Sequence, residues 1–244
     1  MKSVNYLLVL VVAIAVVIAS WLLSNALINR NKNDNTITVT GLGEKEFESD
    51  LIVWNGSFSR KNMVLGEAYA SLNQDKEKVR QYLLSKGVRT DEIVFSAVAL
   101  LKDIQTNYVD GRVAGTLFNG YILTQNVTIQ SKDVNKVESI SREVTELINS
   151  GVEFNSDPPQ YYYTKLADLK QEMVGAASSD GRLRALRIAD SAKANLGGLK
   201  KAAMGVFQIT APNSNEDYSW GGSFNTSSKK KKASITVKME YGIR

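Results

Sequence analysis

An uncharged apolar run from Tyr6 to Leu23, YLLVLVVAIAVVIASWLL, constrains this chain more than any other stretch. Wound as a helix at about 1.5 Å per residue, it spans roughly 27 Å, close to the ~30 Å hydrocarbon core of a bilayer. Its one strongly polar side chain is Ser20, and Trp21 lies near its end, where an indole suits the membrane–water interface. No later window matches it, so the chain reads as one hydrophobic segment followed by a soluble body.

The competing reading is a cleaved signal peptide, with Lys2 as its charged start and Ser24-Asn25-Ala26 as a small-x-small cleavage site. Signal cores usually run about 7–15 residues, and the greater length here favours a retained anchor. Lys2 on one side and Arg30 and Lys32 on the other leave the charge rule for orientation undecided. The simplest topology is a single pass with a short N-terminus inside and the body outside. The expected organisation is an anchor over 1–28, a polar tether over 29–36 (NRNKNDNT with its neighbours), and an extracytoplasmic body over 37–244.

The chain contains no cysteine and no histidine. Disulfides, lipid attachment to an N-terminal cysteine, thiol nucleophiles, Ser-His-Asp catalysis and the common zinc sites are therefore excluded. The net charge is +5, and four lysines stand together at Lys229 to Lys232, so the basic balance alone does not imply a nucleic-acid partner.

Periodicity then predicts the elements of the body. Ile37 to Thr40 alternates as a strand ending in a Gly41-Leu42-Gly43 turn, and a charged turn EKEFESD follows. The next strand, Leu51 to Ser59, places Ile52, Trp54, Gly56 and Phe58 on one face. Val64, Ala68, Leu72, Val79 and Leu83 recur at helical spacing up to Ser85, with Gly87 as a stop. Ile93 to Leu101 reads as a buried strand, Lys102 to Asn119 as a hairpin or ordered loop, and Tyr121 to Ile129 as a strand. A second helix carries Val134, Val137, Ile140, Val144, Leu147 and Ile148 and closes at Gly151. Val152 to Phe154 and Tyr161 to Tyr163 form an edge strand broken by Pro158-Pro159. Leu166 to Leu196 is the longest helical pattern, stopped by Gly197-Gly198; Met204 to Ala211 is a strand, and Pro212 to Ser228 a loop. The final strand directs Ala233, Ile235, Val237, Met239 and Tyr241 inward. The expected fold class is α+β: two strand–helix–strand lobes with mixed or antiparallel sheets after one N-terminal transmembrane helix.

Three places resemble one family. Ile37-Thr38-Val39-Thr40-Gly41-Leu42-Gly43-Glu44 resembles its opening strand and glycine turn, with Ser49-Asp50 standing where Pro-Asp is usual. Leu72-Asn73, Leu83, Gly87-Val88 and Glu92-Ile93 are similar to its first helix and the following turn, and Gly120-Tyr121 to its central strand. The alanine-spaced Ala185, Ala189 and Ala192, then a glycine stop and a strand near Gly205-Val206, complete the pattern. The chain, from about Ile37 to Ile243, is thereby identified as similar to the SIMPL-domain (DUF541) family of bacterial envelope proteins. The resemblance implies an exported or membrane-tethered, non-enzymatic protein, assembly into homo-oligomers and an association with stress tolerance. It brings no catalytic, cofactor-binding or metal-binding residues.

The candidate chemistry is sparse. Gly41-Leu42-Gly43 lacks the following helix of a phosphate loop and reads as a structural turn. Glu44, Glu46, Glu48 and Asp50 lack the spacing of a calcium loop and read as a solvated turn. Lys229 to Lys232 reads as a solvated loop-to-strand junction protecting a sheet edge, rather than as a lipid or nucleic-acid site. Tyr218, Trp220 and Phe224, set among Gly, Ser and Asn, are either a lid over the body or contacts between subunits. The functional expectation is a membrane-anchored oligomer without enzymatic activity, cofactor or nucleic acid. The alternative is a module that captures a ligand or partner in a groove between two lobes.

Overall fold

The computed structural model describes residues 2–31, 35–216 and 219–244. The chain begins with one helix, α1 (Lys2–Asn31), so the first residues of the expected tether are helical. Its segment Leu8–Leu27 is long and apolar enough to cross a membrane, and none of it is buried within the protein. The rest of the chain divides into two compact units: residues 35–45, 169–207 and 234–244, on the α1 side of the division, and residues 46–168 and 208–233.

In the first unit, β1 (Thr36–Glu48), β10 (Lys230–Ile243) and β8 (Leu196–Met204) lie in that order in one sheet. The helix α4 (Leu166–Ser191) supplies the apolar partner, burying Leu169, Met173, Ala177, Gly181, Ala185 and Ala189. β10 answers with Ile235, Val237, Met239 and Tyr241, as its alternation predicts.

Two expectations fail here for one reason. Gly41 and Gly43 are not a turn; they lie inside a continuous β1 that also absorbs the charged stretch to Glu48. A Cβ on Gly41 would overlap the carbonyl oxygen of Ala177 and lie 2.5 Å from Gly181 N, and one on Gly43 would lie 2.5 Å from Met173 O. The glycines let a strand and a helix backbone touch, which alternation alone does not reveal. The same confusion ended α4 too late. Leu196 and Gly197-Gly198 belong to β8, where Gly197 clears the backbone of Gly242, whereas the helix stops at Ser191.

In the second unit, β2 (Leu51–Asn62) and β5 (Arg112–Ser131) pair antiparallel from Ile52↔Ser131 to Asn62↔Tyr121. On the far side of β5 lie β3 (Ile93–Phe95) and β4 (Ala99–Val109). On the far side of β2 lie β6 (Phe154–Ser156) and β7 (Gln160–Tyr162), the proline-broken edge. Helices α2 (Leu65–Ser85) and α3 (Val134–Glu143) contribute Leu72, Val79, Leu83, Val137 and Ile140 to a core shared with Ile52, Trp54, Phe58, Val127 and Ile129. Val64, expected on the buried stripe, is instead the exposed N-cap of α2. The second helix degrades after Glu143 into a 3-10 turn, Val144–Ser150, which leaves Ile148 exposed. Gly151, at φ 77°, ends it as expected.

The expected buried strand from Ile93 to Leu101 is instead two pieces, and Leu100 and Leu101 face solvent. A short β9 (Gln208–Thr210) pairs with β10. The architecture is α+β with two sheet regions, and the strand pairs β2–β5, β2–β6, β2–β7, β3–β5, β4–β5 and β8–β10 are all antiparallel.

Candidate functional site

Four sequence candidates can now be placed. The acidic string is spread along a strand and a bend: Glu44, Glu46 and Glu48 are exposed on β1. Asp50 instead accepts hydrogen bonds from Thr164 N and Thr164 Oγ1, both at 2.7 Å. Glu48 lies 4.0 Å from Lys230. Among the described residues, no group of three His, Cys, Asp or Glu side chains could hold a metal ion.

The lysine run departs most from expectation. Lys229 reaches Asn135 and Glu138, and Lys230 points to Glu48, so these two behave as surface charges. Lys231 is completely buried, at 0% exposure. Its ammonium donates to the carbonyl oxygens of Asn225 and, at 2.7 Å, Ser228. A strand that starts with consecutive lysines must turn every second one inward, and this one enters at the root of the 211–228 loop. Asn225 extends the network: its side chain donates to Glu216 and accepts from Ser228 N, and its backbone N donates to Ile209 O. Gln208 completes it, donating to Ser219 O at 2.7 Å and accepting from Ser223 N at 2.7 Å.

Burial pushes the Lys231 ammonium down from 10.5 to about 8, against the opposing pull of Glu216. Between about pH 8 and pH 10 the unfolded chain therefore binds more protons than the folded one, and stability rises with pH through that window. A shift of this size corresponds to roughly 2–3 kcal/mol. Urea denaturation at the two ends of the window should show this gain in the native chain and its loss in Lys231→Met. Half-buried Tyr82 and buried Tyr161, whose phenols are pushed up by desolvation, are common to both chains and cancel in the comparison.

Above this root the aromatic loop divides. Phe224 is half-exposed and lies 6.3 Å, ring to ring, from Tyr162. Trp220 is 99% exposed beside Gly221 and Gly222, so it does not fold over the body as a lid. Tyr218 lies outside the described residues. Tyr161 is buried, and Tyr163 stacks obliquely on Phe47 at 4.7 Å. Because Trp220 supports nothing beneath it, Trp220→Ala should change thermal stability by less than about 0.5 kcal/mol. A large drop in the melting curve would instead mark it as part of the core.

The feature that sequence reading underrated is the arm formed by β4 and β5 beyond Lys102 and Tyr121. It is a two-stranded ribbon turning at Asp110-Gly111, both at positive φ. Large apolar side chains are exposed along it: Ile104, Tyr108, Val113, Leu117 and Phe118. The signal was present as apolar residues at irregular intervals in a polar segment, which periodicity averages away. Asp103 pins the base of the arm, accepting from Lys61 at 2.6 Å and Asn119 at 2.8 Å, and these bonds hold its carboxylate below the usual range.

Two further features among the described residues are open clefts. One, of about 960 Å³, has Arg89, Asp91, Glu92 and Asp133 in its wall. Those groups are engaged with one another or with neighbouring side chains, Arg89 with Asp91 and Glu92, and Asp133 with Lys136. The other, of about 410 Å³, is apolar and has Val174, Met204 and Phe207 in its wall. In the first, Ser131 Oγ donates to Glu92 Oε1 at 2.7 Å and accepts from Asp133 N at 3.0 Å, a bridge that ties β5 to its flanking turns.

A family model described as SIMPL, protein of unknown function (DUF541), matches residues 37–241. The chain belongs to the SIMPL family. No curated protein sequence matches it significantly. The SIMPL match covers both compact units and stops short of α1. Within the SIMPL region, Gly41 and Gly43 lie against α4, Gly87 follows α2 at φ 84°, and Gly120 takes φ 112° where β5 crosses Asn62. Two of the residues that carried the family resemblance thus serve backbone approach, and two serve backbone conformation.

Proposed function

We propose that this SIMPL protein is a single-pass envelope protein of the inner membrane, its C-terminal body in the periplasm, that acts without catalysis by assembling with copies of itself. In this reading residues 1–28 anchor the chain, 29–36 tether it, and 37–244 form the working body, with no catalytic, cofactor or metal residues.

The β4–β5 arm is the observation that carries the assembly. An uncovered ribbon with five exposed large apolar side chains favours burial against a partner. The partner is a second copy because the arm is self-complementary in charge. Lys61 pairs with Asp103 at the base and Arg112 stands beside Asp110 at the tip, so two arms meet with little like-charge excess. A role in stress tolerance is exerted through that assembly, since a chain without cysteine or histidine has no thiol or imidazole chemistry of its own.

The test is the mass of the detergent-extracted full chain by light scattering, which should be a discrete multiple of 26.9 kDa. Replacing Tyr108, Val113 and Leu117 together by serine should weaken association by about 2 kcal/mol or more, roughly thirtyfold or greater. The melting curve should stay nearly unchanged, because these side chains touch no core. A native chain that is monomeric at all concentrations would refute the proposal.

A further inference from the structure

One end of the first unit is fixed close to the anchor by covalent and hydrogen-bonded connections. Ile243 N donates to Asn35 O at 3.0 Å, joining the end of β10 to the start of β1. Asn195 and Arg244 exchange a pair of backbone bonds at 2.8 and 2.9 Å, joining the α4–β8 turn to the same end. The apolar segment of α1 finishes at Leu27 and the helix continues to Asn31. From Leu27 to Asn31 the helical rise is about 6 Å, and four further Cα steps to Asn35 add at most about 15 Å. This end of the unit is therefore held within about 20 Å of the last membrane-spanning residue.

The same end is basic. Arg182 to Lys201, RLRALRIADSAKANLGGLKK, carries six basic residues against the single acid Asp190. Arg184 pairs with Asp180 at 2.8 Å, and Lys201 stands opposite Glu240 in the β8–β10 register. The residues nearest the joined end are Arg187, Lys193 and Arg244, all exposed, together with Lys200, whose side chain lies over Gly242. Lys193 is in the α4–β8 turn itself, at φ 55°. Arg187 also faces the Asp180 carboxylate, and compensation of the α4 dipole needs about half a charge, yet against the single acid Asp190 this end keeps a net positive charge. Leu183 and Ile188, each 48% exposed, interleave with Arg184 and Arg187 along the last turns of α4. Apolar and basic side chains mixed on one surface suit a lipid–water interface.

We infer that this basic end of the first unit docks on anionic lipid headgroups of the bilayer that α1 crosses. The inference rests on the anchored reading above. Headgroups extend roughly 5–8 Å beyond the hydrocarbon core, and each basic side chain near an anionic surface is attracted within a Debye length of about 8 Å. A tether this short keeps the cluster at high effective concentration next to the surface, so individually weak contacts act together.

The test exploits the absence of cysteine. The full chain carrying Ala192→Cys, in the exposed turn, is labelled with a fluorophore and reconstituted in phosphatidylcholine vesicles or in phosphatidylcholine–phosphatidylglycerol vesicles, each with a headgroup-borne quencher. Quenching should be several-fold stronger in the anionic vesicles and should collapse near 1 M salt, where the Debye length is about 3 Å. It should fall equally in the triple variant Arg187→Gln, Lys193→Gln, Arg244→Gln. Equal quenching in both vesicle types, or none of the expected loss in the triple variant, overturns the inference while protein that stays bound through a carbonate wash upholds the anchor. Shielding of the label that grows with protein density rather than with anionic lipid assigns this end to a second copy and also overturns it. Protein stripped by the wash overturns the anchored reading and this one together.

Discussion

Gly41→Ala should destabilise the chain by about 3 kcal/mol or more, the upper range for overpacking, because the added methyl meets backbone rather than a side chain that could turn away. Its position against the Ala177 carbonyl oxygen and Gly181 N allows relief only by separating β1 from α4. That separation would stretch the 2.9 Å bond from Leu42 N to Asp180, whose carboxylate is held below its usual range chiefly by this bond. Gly175→Ala in the same helix is the control, since nothing lies within 4 Å of its added Cβ. That change should stabilise by about 0.5–1 kcal/mol through helix propensity alone. Equilibrium urea denaturation of both variants checks the pair; equal effects would mean that β1 and α4 do not touch as described.

A second large effect is expected at Asp75, which is 1% exposed on the inner face of α2. Its carboxylate accepts two bonds from the Arg60 guanidinium of β2, one of them at 2.9 Å, and Arg60 also donates to Gly151 O. The hydrogen bond to Asp75 is the main reason the Arg60 guanidinium is raised. Three segments are thus clasped by one ion pair. Asp75→Ala leaves the guanidinium partly buried with one acceptor, and the expected loss is about 3 kcal/mol. Lys78→Ala should lose far less, because Lys78 is 3.8 Å from Asp75 and is largely exposed. A thermal-denaturation series of the two variants distinguishes the clasp from a generic surface charge.

The strands and helices with strong periodicity were legible in the chain. The alternation of β10, the Ile52-Trp54-Phe58 face and the proline-broken edge all stand where spacing places them. What escaped was information that local pattern does not contain. Gly41 and Gly43 look identical to turn glycines until a helix 130 residues away is laid on them. Lys231 looks like its three neighbours, and only the loop carbonyls that close over it make it a buried cation. The arm was expected as a hairpin or an ordered loop, and it is the hairpin; its apolar residues drew no notice because they are not periodic. Its exposure becomes visible once the strands on either side are accounted for.

The order in which the chain passes between the two units has a temporal consequence. The first unit draws on residues 35–45, 169–207 and 234–244, while the second takes most of its strands and helices from 46–168. During synthesis the core of Ile52, Leu72, Val79, Val127 and Val137 is complete while β10 is still unmade. β1 leaves the ribosome directly behind the anchor, yet it must wait about 200 residues for the strand beside it. For that interval its glycine-lined face and open edges are available to any other strand. The part of the body that is translated first is therefore the part that matures last.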